Sequence, residues 1–149
     1  MNLKIASSNL NQTPLAWKKN FSNIRNSIND ARKKNVKILC FPELSITGYS
    51  CQDLFFNSWF INKSEKYLNK VVKLCSKITV IIGHPIKQND KLYNAVSIIK
   101  NKEIKGCFIK SNLPNDGIHY EKRWFEPWRL GEIKEYVFDK KKVPIGTIQ

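Results

Sequence analysis

Two charged residues stand where an apolar, strand-like run gives out. Glu43 follows the run 36–41 (VKILCF) and Pro42, and Lys110 closes the run Ile104 to Ile109. In helix-covered sheets, reactive groups collect at the C-terminal ends of the strands. A carboxylate and an ammonium brought to one cleft from two such ends supply a general base and a fixed cation for a developing oxyanion. The same placement also suits two charges that only meet solvent, so position along the chain leaves both readings open.

The other residue types with reactive potential are less suggestive. Cys40, Cys51, Cys75 and Cys107 have no spacing of a zinc site, and neither His84 nor His119 completes one. Three of them, Cys40, Cys75 and Cys107, sit inside apolar stretches, as small buried hydrophobes do. The N-terminus lacks the apolar core of a signal peptide and no apolar run approaches the ~18 residues of a membrane span. The expectation is a cytoplasmic chain with free thiols and no membrane partner. With 26 Lys and Arg against 12 Asp and Glu in 149 residues, the net charge is +14. Only four of the basic residues are arginines, the lysines are scattered, and no aromatic stripe alternates with them. That pattern favours solubility and loose polyanion sticking over a specific nucleic-acid partner.

The elements that must position Glu43 and Lys110 follow from periodicity. Leu3 to Ser7 alternates as a short strand. Thr13 and Pro14 suit an N-cap and first helical position, after which Trp17, Phe21, Ile24, Ile28 and Ala31 form one helical stripe ending near Lys34. Residues 36–41 read as a strand buried on both faces, making a β-α-β opening. Asp53 is placed to cap a short helix through Phe60, and Ser64 to cap a second whose apolar face includes Leu68 and Val71. Residues 79–83 form another buried strand, and 92–99 with 104–109 read as a hairpin about Lys100 to Glu103. Beyond Lys110, periodicity is lost over SNLPNDGIHYEKRWFEPW, as in a shaped loop lining a site. Val143 to Gly146 begins a further strand whose partner and covering layer the remaining residues do not supply, so the sequence reads as truncated.

The segment Phe41-Pro42-Glu43-Leu44, followed by Thr47-Gly48-Tyr49, resembles the catalytic-glutamate block of the carbon–nitrogen hydrolase (nitrilase) superfamily. Asp53-Leu54-Phe55 is similar to the subgroup forming the glutaminase domains of glutamine-dependent NAD+ synthetases, and the residues around Lys110 resemble that subgroup's catalytic-lysine block. Ile82-Gly83-His84-Pro85 and Leu92-Tyr93-Asn94-Ala95 fit the pattern between them. The resemblance implies an α/β fold, a four-layer α-β-β-α sandwich, of which residues 1–149 are about the first half. It implies that Glu43 is the general base, Lys110 the oxyanion cation, and Glu121 a supporting carboxylate that orients lysine and nucleophile. For Glu121 a surface carboxylate paired with Lys122 or Arg123 is the competing reading.

The family's nucleophile is a cysteine in a Cys-Glu-Asp type motif beyond the Val-Pro-Ile-Gly segment, and this chain holds none there. Cys107 and Cys40 precede Lys110 and Glu43 by an odd offset, which puts the paired side chains on opposite strand faces. Cys51 lies in a loop where the family places no nucleophile. Asp116 occupies a position at which many relatives carry a glutamine-contacting tyrosine. The implied parent hydrolyses L-glutamine and passes ammonia to a synthetase domain that uses ATP and magnesium to amidate deamido-NAD+. That domain, its cofactors and a homo-oligomeric assembly belong to the parent, and the 149-residue chain is expected to be inactive alone, with no cofactor or metal of its own. A free-standing amidase of the superfamily and a non-catalytic, decayed or regulatory fragment are the alternatives.

Overall fold

The computed structural model describes residues 2–129 and 135–146. Its strands are β1 (Ile5–Ser7), β2 (Ile38–Cys40), β3 (Thr79–Gln88), β4 (Lys91–Lys100), β5 (Glu103–Ile109), β6 (Glu135–Phe138) and β7 (Lys141–Gly146). Two helices, α1 (Trp17–Lys33) and α2 (Ser58–Leu74), join β1 to β2 and β2 to β3. The strands form one sheet in the order β1-β2-β3-β4-β5-β7-β6. Pairing is parallel across β1, β2 and β3, antiparallel through β3, β4 and β5, parallel from β5 to β7 and antiparallel from β7 to β6.

Both helices cover one sheet face. Ile24, Ile28 and Ala31 of α1 and Leu68, Val71 and Val72 of α2 form one core with Leu39, Val80, Ile82, Ile99, Cys107 and Ile109. Register explains this set: Leu39 pairs with Val80 and Val80 with Ile99, so these side chains share a face. Each such Ile or Leu stabilises the fold by roughly 1.5–3 kcal/mol through burial. On the opposite face Ile38, Ile81, Val96, Ile98 and Phe108 are only half-buried, and Ile5 and Cys40 are exposed. The described residues therefore supply one helix layer and one sheet of the expected sandwich.

Several local expectations need correction. α1 starts at Trp17 rather than at Pro14, because Leu15 adopts a left-handed conformation (φ 63°) that interrupts the chain just after the proline. Thr13 and Pro14 instead form a turn closed in both directions by Asn20, whose Oδ1 accepts from Thr13 N (3.0 Å) and whose Nδ2 donates to Thr13 O (2.8 Å). Ser64 caps nothing: it is buried in the middle of α2, a segment without Gly or Pro to break it. Asp53 lies in a 3₁₀ turn, Gln52–Phe56, and α2 follows from Asn57. β2 is buried on one face only, with Cys40 exposed, whereas Cys51, assigned to no apolar stretch, is buried. The strand from Val143 is not an open edge. It lies between β5 and β6, leaving β1 and β6 outermost. β3 runs on through Pro85 to Gln88 because β2 pairs only with its first three residues, so the missing proline N–H faces no ladder.

Three hairpins turn through pairs of left-handed residues: Asn89 and Asp90, Asn101 and Lys102, Asp139 and Lys140. This is the backbone twist that suits two-residue hairpin loops.

Within the core, a hydrogen-bonded chain links β3, β4 and β5. His84 Nε2 lies 2.6 Å from Ser97 Oγ, which lies 3.1 Å from Cys107 Sγ, and His84 Nδ1 lies 3.2 Å from Pro85 O. A proton on Nδ1 satisfies every member, with Ser97 donating to Nε2 and Cys107 donating to Ser97. Burial lowers the imidazole pKa to about 4, against a weaker opposite pull from the Pro85 carbonyl. The unfolded imidazole titrates near 6.5, so below that pH the unfolded state takes up a proton that the folded state refuses. Stability should fall by roughly 3 kcal/mol as pH drops from about 6.5 to about 4. Urea unfolding at a series of pH values checks this, and His84→Gln should remove most of that slope.

Candidate active site

The loop after β2 holds Glu43 in a tight, over-determined turn. Phe41 N donates to Ile81 O (2.8 Å), Ile46 N to Gly83 O (3.3 Å) and Gly48 N to Leu44 O (2.8 Å). Gln12 Nε2 braces the loop from outside by donating to Ser45 O (2.7 Å). Leu44, buried and adjacent to Glu43, has φ 48°. A non-glycine residue there costs about 1–3 kcal/mol, and such strain gathers at functional sites. Gly83 lets the loop approach β3: a Cβ on it would lie 2.5 Å from Leu44 N and 2.9 Å from Glu43 C and Cα.

Lys110 enters from the end of β5, its amide donating to Asn94 O (2.9 Å). Its Nζ donates to Glu43 Oε1 (2.8 Å) and to Glu121 Oε1 (3.1 Å). Glu121 Oε2 is also 3.0 Å from Nζ but makes no hydrogen bond, so charge alone holds that oxygen. The structure thus brings all three sequence-derived candidates, Glu43, Lys110 and Glu121, to one ammonium. Glu121 is 1% exposed and forms no pair with Lys122 or Arg123, which disposes of the surface-carboxylate reading. Partial burial disfavours the Lys110 ammonium, but its bonds to Glu43 and Glu121 and their charges outweigh this and raise its pKa. Lys110 is a cation throughout the physiological range.

Two further residues complete the cluster. Asn94, buried on β4, donates from Nδ2 to Glu43 Oε1. Tyr49 donates its hydroxyl to Glu121 Oε1 (2.5 Å). Burial raises the Tyr49 pKa, as do the bond to Glu121 and the charges of Glu121, Glu43 and Asp116, so the phenol keeps its proton. Sequence reasoning assigned neither residue a role. A polar amide between Tyr93 and Ala95 in the middle of a largely apolar strand was the signal available for Asn94.

Glu43, Lys110 and Asn94 border a cleft of about 280 Å³ floored by Gly83, Val96 and Phe108, on the face away from the helices. A second depression, lined by Tyr49, Pro114 and His119, shares Glu43 and Lys110. The arrangement can accept a proton at Glu43 and hold an anionic oxygen at Lys110, within one cleft.

None of the four cysteines lines either depression. Burial pushes the Cys51 and Cys107 thiols up to about 11 and Cys75 to about 12, so these three are not thiolates at neutral pH. Cys107 faces the helix-covered core, opposite Lys110, as alternation requires. For Cys40 alternation misleads. The chain turns at Pro42, and Cys40 lies on the same open face as the cleft but outside it. Among the described residues no cluster of His, Cys, Asp and Glu could hold a metal ion, and no helix is long and apolar enough to cross a membrane.

The sequence family described as carbon-nitrogen hydrolase matches residues 4–148. The chain belongs to that family. Among carbon–nitrogen hydrolase relatives, the glutamine-dependent NAD(+) synthetase of Arabidopsis thaliana is 31% identical over 155 residues, covering 97% of this chain and 21% of that protein. The crystal structure of a glutamine-dependent NAD(+) synthetase from Cytophaga hutchinsonii superposes with a TM-score of 0.94 at 38% identity, over 98% of this chain and 25% of that one. An amidase from Nesterenkonia sp. shares the fold, with a TM-score of 0.72 at 18% identity, over 91% of this chain and 50% of that one. The chain therefore spans about a fifth of the Arabidopsis protein and a quarter of the Cytophaga one. This kinship bears out the α/β sandwich fold and the family inferred from the motifs around Glu43 and Lys110.

Proposed function

We propose that this carbon–nitrogen hydrolase chain is the N-terminal part of the glutamine-hydrolysing domain of a glutamine-dependent NAD+ synthetase. The observation that carries the reading is the Lys110 ammonium shared by Glu43 and Glu121, which converge from loops far apart in sequence. Glu43 takes the proton of a cysteine thiol supplied from outside these 149 residues. The sulfur attacks the glutamine side-chain carbonyl, and Lys110 stabilises the oxyanion that forms. As the intermediate collapses, the C–N bond breaks and Glu43 returns the proton to the leaving ammonia. Glu43 then activates water to cleave the thioester, giving glutamate and a free thiol. Glu121 and Tyr49 hold Lys110 in place. In this reading the rest of the glutaminase fold and an ATP- and magnesium-using synthetase domain are the partners, within a homo-oligomer, and no residue of this chain serves the cofactors.

The test is glutamine turnover. The 149-residue chain should release no ammonia from L-glutamine, and a protein joining it to a segment with the nucleophilic cysteine should do so. Turnover by the chain after removal of Cys40, Cys51, Cys75 and Cys107 together would overturn the assignment.

A further inference from the structure

Asp53 lies ten residues past Glu43, in the 3₁₀ turn Gln52–Phe56, and its carboxylate accepts three hydrogen bonds. Arg123 Nε donates to Oδ1 (2.8 Å), Arg123 Nη2 to Oδ2 (2.7 Å) and Trp124 Nε1 to Oδ1 (2.9 Å). Both donors follow Glu121 in or beside the 3₁₀ turn Glu121–Arg123. A fork of this kind fixes orientation as well as distance, because guanidinium and carboxylate meet along two parallel bonds.

A second link runs beside it, from Tyr49 to Glu121. Besides the direct Lys110–Glu43 bond, the Glu43 loop and the loop after Lys110 are thus tied at two places, and the buried Glu121 carboxylate lies between them. Under the clamp, Phe55 packs on Phe125 and Trp124 with ring centroids 4.9 and 6.2 Å apart, and Tyr120 packs on Trp124 at 4.9 Å. The turn's own backbone bonds are few: Glu121 N donates to Pro114 O, Arg123 N to Tyr120 O, and Trp124 N and Phe125 N to Glu121 O. These bonds shape the turn without tying it to the loop that carries Glu43. That tie is left to side chains.

We propose that Asp53 is a positioning residue for the active site: through Arg123 and Trp124 it fixes the turn that sets Glu121 against Lys110. The inference rests on the functional reading above for its catalytic consequence, though not for its geometry. As an isolated ion pair, Asp53 and Arg123 would matter little, both being more than half exposed. Their effect is to hold a turn whose buried carboxylate touches the reactive lysine. Asp53 is also available as an anion in ordinary conditions, since the bonds from Arg123 and Trp124 hold its pKa down at about 2.

The experiment reads Lys110 directly in the 149-residue chain, by competitive reductive methylation of lysines followed by mass spectrometry. Asp53→Asn should raise the methylation rate of Lys110 roughly two- to fivefold relative to Lys63 and Lys87, the range expected when one exposed ion pair is lost. Arg123→Gln should do the same, and the double variant should exceed neither single one, because the two act through one contact. Trp124→Phe keeps the ring packing, removes the third bond and should give a smaller rise. It also keeps the test open should Asp53→Asn fail to fold. In a glutamine-hydrolysing protein containing this chain, Asp53→Asn should lower kcat roughly ten- to hundredfold, as misplacing a supporting group does. Unchanged Lys110 reactivity in folded Arg123→Gln and Trp124→Phe chains, or additive effects in the double variant, would overturn the proposal. Because labelling needs no turnover, that failure is distinct from failure of glutamine hydrolysis itself.

Discussion

In a glutamine-active protein built on this chain, Glu43→Gln and Lys110→Ala should each abolish glutamine-dependent synthesis and leave synthesis from free ammonia intact. Glu43→Gln keeps the shape and the contact with Asn94 but removes the base, so neither thiol nor water is activated. Lys110→Ala removes the cation that meets the oxyanion, a loss that typically costs on the order of 10²–10³ in rate. It also strands the buried Glu121, whose remaining partner is Tyr49. Lys110→Ala should therefore destabilise the fold more than Glu43→Gln does. Parallel assays with glutamine and with ammonium chloride check both, and retention of more than about a tenth of wild-type glutamine use would remove that residue from the mechanism.

Among the described glycines, Gly83→Ala should be the most damaging alanine substitution. The added Cβ meets only backbone, Leu44 N at 2.5 Å and Glu43 Cα at 2.9 Å, and backbone cannot swing aside as a long side chain can. The loop carrying Glu43 must lift away from β3, against its hydrogen bond from Ile46 N to Gly83 O. Overpacking of this kind costs about 1–3 kcal/mol, and displacing a catalytic group by about 1 Å costs roughly a hundredfold in rate. Urea unfolding should show the first loss and glutamine turnover the second. Gly106→Ala is the control, since its Cβ would meet Pro144 O at an ordinary 3.6 Å.

How far the sequence reached depended on whether a feature was local. Glu43 and Lys110 stood out because each follows an apolar run, with their roles given by motif resemblance, and the 92–99 with 104–109 hairpin because its turn is contained within it. Glu121 came from motif resemblance alone, since its loop has no periodicity. Asn94, Tyr49, Asp53 and Arg123 act on partners 51 to 72 residues away, and nothing in their own neighbourhoods reports such a partner. Ser64 and the Thr13-Pro14 pair misled because each has the chemistry of a helix cap, while tertiary packing placed one inside α2 and the other in a turn against Gly48. β6 was missed altogether: Tyr136 and Phe138 alternate inward, but only four residues long and beside a lysine run.

The left-handed turns at Asn89–Asp90 and Asn101–Lys102 bear on the order in which the site comes together in time. They let β3, β4 and β5 zip as neighbours along the chain, and hairpins close within about 1–10 μs. β1 pairs with β2 across α1 and β2 with β3 across α2, both in parallel, and these pairings should wait for the helices to dock and repay the entropy of closing long loops. The strand that delivers Lys110 belongs to the early half and the loop that delivers Glu43 to the late half. The ammonium should thus be in place before its carboxylate partner arrives, and pulse-labelled refolding should protect the amides of β3, β4 and β5 before those of β1 and β2.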